Sequence, residues 1–190
     1  MQPTFRAGET YCVPRDVTPE AALSYWSSPP HAVHVAVDTA GELLGTYFIS
    51  PNQALGGGGG HVANFGFITA PAASGRGVCR ALLKHAIAGA RSEGYTAVQF
   101  NFVVSTNKRA IATWKRAGFR IVGTLPRAFA HPRLGLVGVY VMFRELDGGA
   151  GRSPSPSPRS TPPWSPPRSP PKPLRSPPRS PYSSSLGTFS

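Results

Sequence analysis

Carboxylate side chains are scarce in this chain. Its 190 residues include eight Asp and Glu against 20 Lys and Arg, which gives a formal net charge of +12 at pH 7. Between Glu42 and Glu145 the single acid is Glu93, which falls at the far end of a predicted helix. We therefore do not expect a carboxylate from the central part of the chain to act as a general base.

Cysteines and long apolar runs are also scarce. The two cysteines, Cys12 and Cys79, have neither the spacing of a metal site nor that of a disulfide framework, so we expect no metal and a reduced, cytoplasmic setting. No apolar run approaches the roughly 20 residues of a membrane-spanning helix. The N-terminus also lacks the apolar core of a signal peptide. These absences predict a protein with neither a metal nor a membrane partner.

The last part of the chain differs in composition from the rest. Residues 148–190 are nearly all Ser, Pro, Arg and Gly, and they include six basic residues and no acid. Because such a composition cannot bury a core, we predict a folded domain over residues 1–147 and a disordered, low-complexity basic tail over residues 148–190. We favour a solvated tail. Contact with nucleic acid or with a proline-binding domain is the less favoured alternative.

Hydrophobic periodicity and turn residues predict an α/β domain. Thr18 followed by Pro19 is typical of a helix N-terminus, and Gly94 and Gly118 are typical of helix ends. The β-forming stretches predict a mixed sheet with helices on its faces. The predicted strands cover residues 5–13, 32–37, 43–49, 61–69, 97–104, 120–124 and 136–143, and the predicted helices begin near residues 18, 78 and 107.

The domain is organised around residues 65–93, which are predicted to form a strand, a glycine-rich turn and a helix. Gly75 and Gly77 allow positive φ and a close approach of the backbone to a ligand. The N–H groups of the first helical turn have no partner within the helix, and Arg76 and Arg80 lie beside them. This arrangement predicts a site for a phosphate or pyrophosphate. Taken by itself, a lone Gly-x-Gly also fits an ordinary strand-to-helix turn.

Two blocks of sequence resemble a known family. Residues 74–79, SGRGVC, resemble motif A of the GNAT superfamily of acyl-CoA N-acetyltransferases, and residues 107–119, NKRAIATWKRAGF, resemble its motif B. The resemblance implies a mixed, mostly antiparallel twisted sheet flanked by helices, acetyl-CoA as co-substrate and a small-molecule amine as acceptor. The resemblance is also compatible with a homodimer. The residues that it implies at the acetyl-CoA site are Ile68, Thr69, Ser74, Gly75, Arg76, Gly77, Val78, Cys79, Arg80 and Asn107.

The predicted anion site departs from the family pattern at two positions. Ser74 stands where the family has Arg or Gln, and Cys79 stands where it has Gly or Ala. We expect weakened acetyl-CoA binding, with Arg76 and Arg80 as candidates for the missing charge. We also expect the helix N-terminus to lower the pKa of the Cys79 thiol.

The proton-transfer groups depart from the family pattern as well. Trp114 occupies the place of the family's proton-donating tyrosine, and an indole N–H cannot act as an acid. Tyr140 is a candidate substitute, and His61 is the best candidate base among the histidines. These departures keep a second function open, namely a non-catalytic GNAT-fold binding protein whose basic tail recruits nucleic acid or a protein partner.

Asparagines are the candidates for contacts to the acceptor. Asn is disfavoured inside a strand, so Asn101 indicates a bulge, a satisfied buried amide or a hydrogen-bond donor to substrate. The segments around Asn64 and Asn101 resemble a GNAT branch that acetylates proline analogues such as azetidine-2-carboxylate. That resemblance implies Asn64 and Asn101 as the catalytic residues at the acceptor, and Asn107 at the pantetheine arm. The expected acceptor is a small amine or an imino or amino acid.

Overall fold

The computed structural model describes residues 1–146, so the predicted tail lies outside the described residues. Four helices and six strands follow one another along the chain, with short 3-10 turns at Gly57–Gly59 and Pro71–Ala73. Among these residues, no helix is both long and apolar enough to cross a membrane. The elements are α1 (Gln2–Ala7), α2 (Pro19–Ser27), β1 (Ala32–Val37), β2 (Leu43–Pro51), β3 (Val62–Thr69), α3 (Val78–Ser92), β4 (Ala97–Val104), α4 (Lys108–Arg116), β5 (Arg120–His131) and β6 (Gly135–Glu145).

The predicted first strand, over residues 5–13, is wrong. Helix α1 begins the chain instead and ends at Gly8, whose left-handed φ of 65° closes the last turn. Phe5 is buried there, and its ring meets that of Tyr11 edge to face at 5.5 Å. Residues 8–13 form no regular element. Their aromatic and apolar side chains are buried by packing against one face of the sheet, and their backbone pairs with no strand.

The other predicted elements are confirmed, with changes in length. Thr18 caps α2, and its hydroxyl accepts from the backbone N–H of Ala21 at 3.2 Å. The hairpin after β1 turns through Gly41, which has a φ of +86°. Strands β5 and β6 extend several residues beyond the prediction, because they pair with each other as a long ribbon.

The six strands form one mixed sheet in the order β1-β2-β3-β4-β6-β5. Every neighbouring pair is antiparallel except β3 and β4. The parallel pair is joined only at its beginning, where Val62 faces Ala97 and Ala63 faces Val98. Beyond these residues the two strands separate, so the carboxyl half of β3 has a free edge. The predicted α/β class with a mostly antiparallel sheet is confirmed.

Helices cover both faces of the sheet. Successive residues of β2 point to opposite faces, so Tyr47 and Ile49 join one core while Phe48 joins the other. The core under α3 and α4 includes Phe65, Leu82, Leu83, Ala86, Val98, Phe100, Trp114 and Met142. The core under α1 and α2 consists of Phe5, Val13, Ala22, Trp26, Phe48 and Ile68.

Gly66 in β3 is required by the packing of a neighbouring ring. A Cβ at this position would lie 2.3 Å from Cε1 of Phe48. That ring has little room to move, because it stacks on His31 at 3.9 Å and meets Trp26 at 4.9 Å. We expect Gly66→Ala to lower the free energy of unfolding by about 1–3 kcal/mol, the usual effect of overpacking. Thermal denaturation measures this change.

The matched control for that substitution is Gly58→Ala. A Cβ at Gly58 would have no other atom within 4 Å, so this variant should have the same melting temperature as the wild type. Equal melting of Gly66→Ala and wild type would mean that Phe48 repacks freely, which contradicts the packing described above.

Candidate active site

A cleft of about 1730 Å³ opens where β3 and β4 separate. It runs from the segment after α1, along the free edge of β3, to the loop before α3 and the first turns of α4. None of the described side chains that line it is Asp, Glu or His. The cations along it are Arg76, Arg80, Lys84, Arg91, Lys108, Arg109, Arg116 and Arg144. The cleft therefore favours an anionic ligand.

The free edge of β3 presents backbone groups to the cleft. In the antiparallel ladder with β2, Asn52 donates to Val62, and Ala70 donates to Leu44. Since hydrogen-bonded pairs alternate in such a ladder, the even-numbered residues of β3 bond β2, and the odd-numbered ones turn their N–H and C=O the other way. Phe65, Phe67 and Thr69 lie past the last pair with β4, so their backbone groups have no strand partner on that side.

Tyr11 occupies part of this edge. Its hydroxyl donates to the carbonyl of Phe67 at 2.8 Å and accepts from the N–H of the same residue at 3.0 Å. Burial raises the pKa of the Tyr11 phenol well above its ordinary value, so it stays protonated across the physiological range. Sequence reasoning missed Tyr11, because no motif marks it and its segment was predicted to be a strand.

The anion loop, residues 74–79, has the predicted local geometry. Gly75 and Gly77 both have φ of +81°, which favours glycine, and Gly77 is the N-cap of α3. No side chain caps this helix, so its first N–H groups are open to a ligand. Ser74 and Arg76 are exposed on the loop. In addition, Arg109 of α4 donates from Nη1 to the Ser74 hydroxyl at 3.1 Å, a contact that sequence reasoning did not find.

The expectation of a lowered pKa for the Cys79 thiol is wrong. Cys79 is the second residue of α3 and is half-buried. Burial raises the pKa of the thiol, and this effect outweighs the opposing influence of Arg109 and of the Thr69 hydroxyl. Desolvation disfavours the thiolate more than its charged and polar neighbours stabilise it.

The three asparagines have distinct local roles. Asn64 donates to the carbonyl of Gln99 at 3.0 Å, which ties β3 to β4 at the point where they diverge. Asn107 caps α4 through a 3.2 Å bond from the N–H of Ala110. Asn101 is exposed at an irregularity of β4 between Phe100 and Val103, and its Oδ1 accepts from Nε2 of Gln99 at 2.7 Å.

The structure brings Asn64, Asn101 and Asn107 to the same cleft as the anion loop. Asn101 differs from the other two, because its amide nitrogen donates to no described residue. It remains available as a donor to a ligand.

Of the other residues considered for proton transfer, Trp114 lines the cleft, whereas the tyrosine and histidine candidates do not. Trp114 is buried and stacks on Phe100 at 4.8 Å. Tyr140 on β6 and His61 at the start of β3 are not among the residues that line the cleft. The Nδ1 of His85 pairs with the Tyr47 hydroxyl at 2.6 Å, outside the cleft. Among residues 1–146 there is no group of three or more His, Cys, Asp or Glu side chains that could hold a metal ion.

The splayed sheet, the two-glycine loop and the uncapped helix N-terminus are the features expected of a site for an anionic ligand between two central strands. Residues 3–119 match the Acetyltransferase (GNAT) family. The chain belongs to the GNAT family of acetyltransferases, so the predicted superfamily and enzyme class are confirmed.

Solved structures share this fold. A GCN5-related N-acetyltransferase from Kribbella flavida is 46% identical with a TM-score of 0.71, over 77% of this chain and 90% of that one. The yncA protein of Salmonella typhimurium, solved with its cofactor acetyl-CoA, is 19% identical with a TM-score of 0.68, over 81% and 88%. The spermidine/spermine N-acetyltransferase SpeG from Vibrio cholerae is 20% identical with a TM-score of 0.55, over 67% and 74%. None of the curated proteins compared matches the chain.

Proposed function

We propose that this protein is an acetyl-CoA-dependent N-acetyltransferase whose acceptor is a small amine or imino acid. The observation that carries the proposal is the single cleft between β3 and β4. It joins a basic loop at one end to an uncharged, aromatic end at the other. A long anionic thioester and a small acceptor would meet in the middle of such a cleft.

The described residues fit acetyl-CoA. Its diphosphate would lie at the anion loop, because open N–H groups at a helix N-terminus and nearby cations favour phosphate. Its pantetheine arm carries amides that can pair with the free backbone groups of Phe65 and Thr69. Bound acetyl-CoA supplies the acetyl thioester. Ile68, Thr69, Val78 and Asn107 line the same cleft.

The acceptor end favours a compact, weakly charged amine. It is lined by Thr4, Thr10, Tyr11, Cys12, Tyr25, Phe48, Asn64 and Asn101. With no carboxylate among them, a polycationic amine would lose hydration without gaining an ion pair. From the sequence resemblance we infer a proline analogue such as azetidine-2-carboxylate as the acceptor class, with the amide N–H groups of Asn64 and Asn101 as donors to its carboxylate.

None of the described residues that line the cleft is Asp, Glu or His, so the reaction depends on water and on the Tyr11 hydroxyl. The acceptor enters as the neutral amine and, after attacking the thioester carbonyl, releases its proton to water. As the carbon–sulfur bond breaks, the Tyr11 hydroxyl turns its hydrogen from the Phe67 carbonyl to the developing thiolate and stabilises that charge. The phenol keeps its proton, because burial raises its pKa, and the thiolate is protonated by water.

A calorimetric titration and an acceptor screen test this function. We expect acetyl-CoA to bind, and thiol release to depend on acceptor, with azetidine-2-carboxylate or proline active and spermidine inactive. Spermidine is the control, since it carries reactive amines but is a polycation, and no described residue that lines the cleft is a carboxylate that could pair with it. No detectable binding at millimolar acetyl-CoA would reject the enzyme in favour of a non-catalytic binding protein. Spermidine as the best acceptor would reject the substrate class alone.

A further inference from the structure

Arg109 reaches from α4 to the beginning of the anion loop. It is the second residue of that helix, and its bond to the Ser74 hydroxyl spans 35 positions of sequence. Within residues 1–146 no carboxylate pairs with it, since the ion pair found there joins Arg133 and Glu9. A guanidinium has five N–H donors, and this bond uses one of them. Most of its hydrogen-bonding capacity is therefore free for a ligand.

A second observation is that Arg109 lines the same cleft as Cys79, which lies in the first turn of α3. The charge of Arg109 favours the thiolate of Cys79 and so offsets part of the rise in pKa that burial causes. A charge has such an effect only over a short distance. Arg109 thus lies across the loop, from Ser74 before the two glycines to Cys79 in the first helical turn.

The arginines of the loop itself are placed differently. Arg76, Arg80 and Lys84 are spaced four residues apart, and they surround a separate shallow recess of about 480 Å³ on the exposed side of α3. All three are exposed, as Arg109 is, so exposure does not distinguish them. What distinguishes Arg109 is its bond to the Ser74 hydroxyl, which already limits the side-chain freedom that binding an anion would otherwise remove.

We propose that Arg109 binds the diphosphate of the acyl carrier, that the Ser74 hydroxyl holds it in position, and that it supplies the charge which the loop lacks at position 74. This assignment rests on the proposed function. The planar fork of a guanidinium can bond two phosphate oxygens at once, and Ser74 accepts from one N–H without neutralising the charge. The family's basic or amide residue is thus replaced from another helix.

Titration with three ligands tests the assignment: coenzyme A, 3′-dephospho-coenzyme A, which lacks the 3′-phosphate, and pantetheine, which has no phosphate. We expect Arg109→Gln to weaken the first two equally, by about 10- to 100-fold, and to leave pantetheine unchanged. Arg109→Lys should lose less, because it keeps the charge without the fork. Lys115→Gln is the matched control, since Lys115 lies on the same helix, is exposed and does not line the cleft.

The outcomes separate the assignment from the function. Unchanged affinity of Arg109→Gln for 3′-dephospho-coenzyme A, with a wild type that binds it, overturns the assignment alone. A loss confined to coenzyme A also overturns it, because the contact would then be to the 3′-phosphate. A wild type that binds none of the three overturns the proposed function and this assignment with it.

Alkylation of Cys79 reports the position of the guanidinium without any ligand. In a Cys12→Ser background, removing the charge of Arg109 should raise the pKa of the Cys79 thiol further and slow its reaction with iodoacetamide below that pKa. Lys115→Gln should leave the rate unchanged. An unchanged rate in Arg109→Gln would show that the guanidinium does not lie at the first turn of α3, which overturns the assignment. Equal melting temperatures confirm that the variants are folded.

Discussion

Tyr11→Phe should lower kcat by about 10²- to 10³-fold, the range for loss of one hydrogen-bond donor that stabilises charge in the transition state. The ring stays in its packing against Phe5 and Trp26, so the loss concerns the hydroxyl group. Without it, the developing thiolate loses this hydrogen-bond donor, and none of the described residues that line the cleft is an Asp, Glu or His that could take its place. Steady-state kinetics with acetyl-CoA at several pH values measures the effect.

The same substitution removes a structural contact, which has to be separated from the chemistry. Phe67 would lose the partner of its N–H and C=O, at a cost of about 1–3 kcal/mol if these groups stay dry. The melting temperature of the variant measures this loss of stability. Tyr95→Phe is the control, because Tyr95 is also half-buried and lies outside the cleft lining. If Tyr11→Phe is destabilised but retains kcat per folded molecule, Tyr11 is a structural residue and not the hydrogen-bond donor to the thiolate.

Asn101→Ala should lower kcat/KM by about 10²- to 10³-fold, the usual effect of removing one donor that stabilises charge in the transition state. The side chain is exposed, so its removal takes little from the core. Stability should therefore change by less than about 0.5 kcal/mol, as for other surface positions. Initial rates at low acceptor concentration, together with thermal denaturation, measure the two effects.

Two companion variants define what the amide contributes. Asn101→Asp keeps the shape and removes the N–H donors, so it should lose at least as much as the alanine variant. Gln99→Ala removes only the 2.7 Å bond that orients Asn101, so its loss should be smaller. Full activity in Asn101→Asp would mean that the donor is not used. Asn101 would then be explained by the irregularity of β4 alone.

The elements that the sequence predicted correctly are those whose signals are local. Thr18 and Pro19 determine where α2 begins, because capping and a fixed φ act within one turn. The glycines of the anion loop behave as expected for the same reason, since positive φ depends on the residue itself. The strand predicted over residues 5–13 was wrong, because the aromatic residues of this segment are buried by distant side chains and not by a neighbouring strand.

The site was predictable only where it is contiguous in sequence. Motif A and motif B lie in short blocks, so the anion loop and the cap of α4 could be located from the residues. Arg109 meets Ser74 across 35 positions, and Tyr11 meets Phe67 across 56. No local pattern encodes such contacts, because they follow from which strands become neighbours and where two of them separate.

By itself, the sequence determined the family, the anion loop and the scarcity of carboxylates, since each of these is a property of residue type and short spacing. The tertiary structure decided which side chains share the cleft. It buried Cys79 enough to raise the pKa of its thiol, excluded His61 and Tyr140 from the cleft lining and brought Tyr11 to the free edge of β3. Burial and long-range hydrogen bonds depend on which distant segments become neighbours in the fold, so a short stretch of sequence cannot predict them.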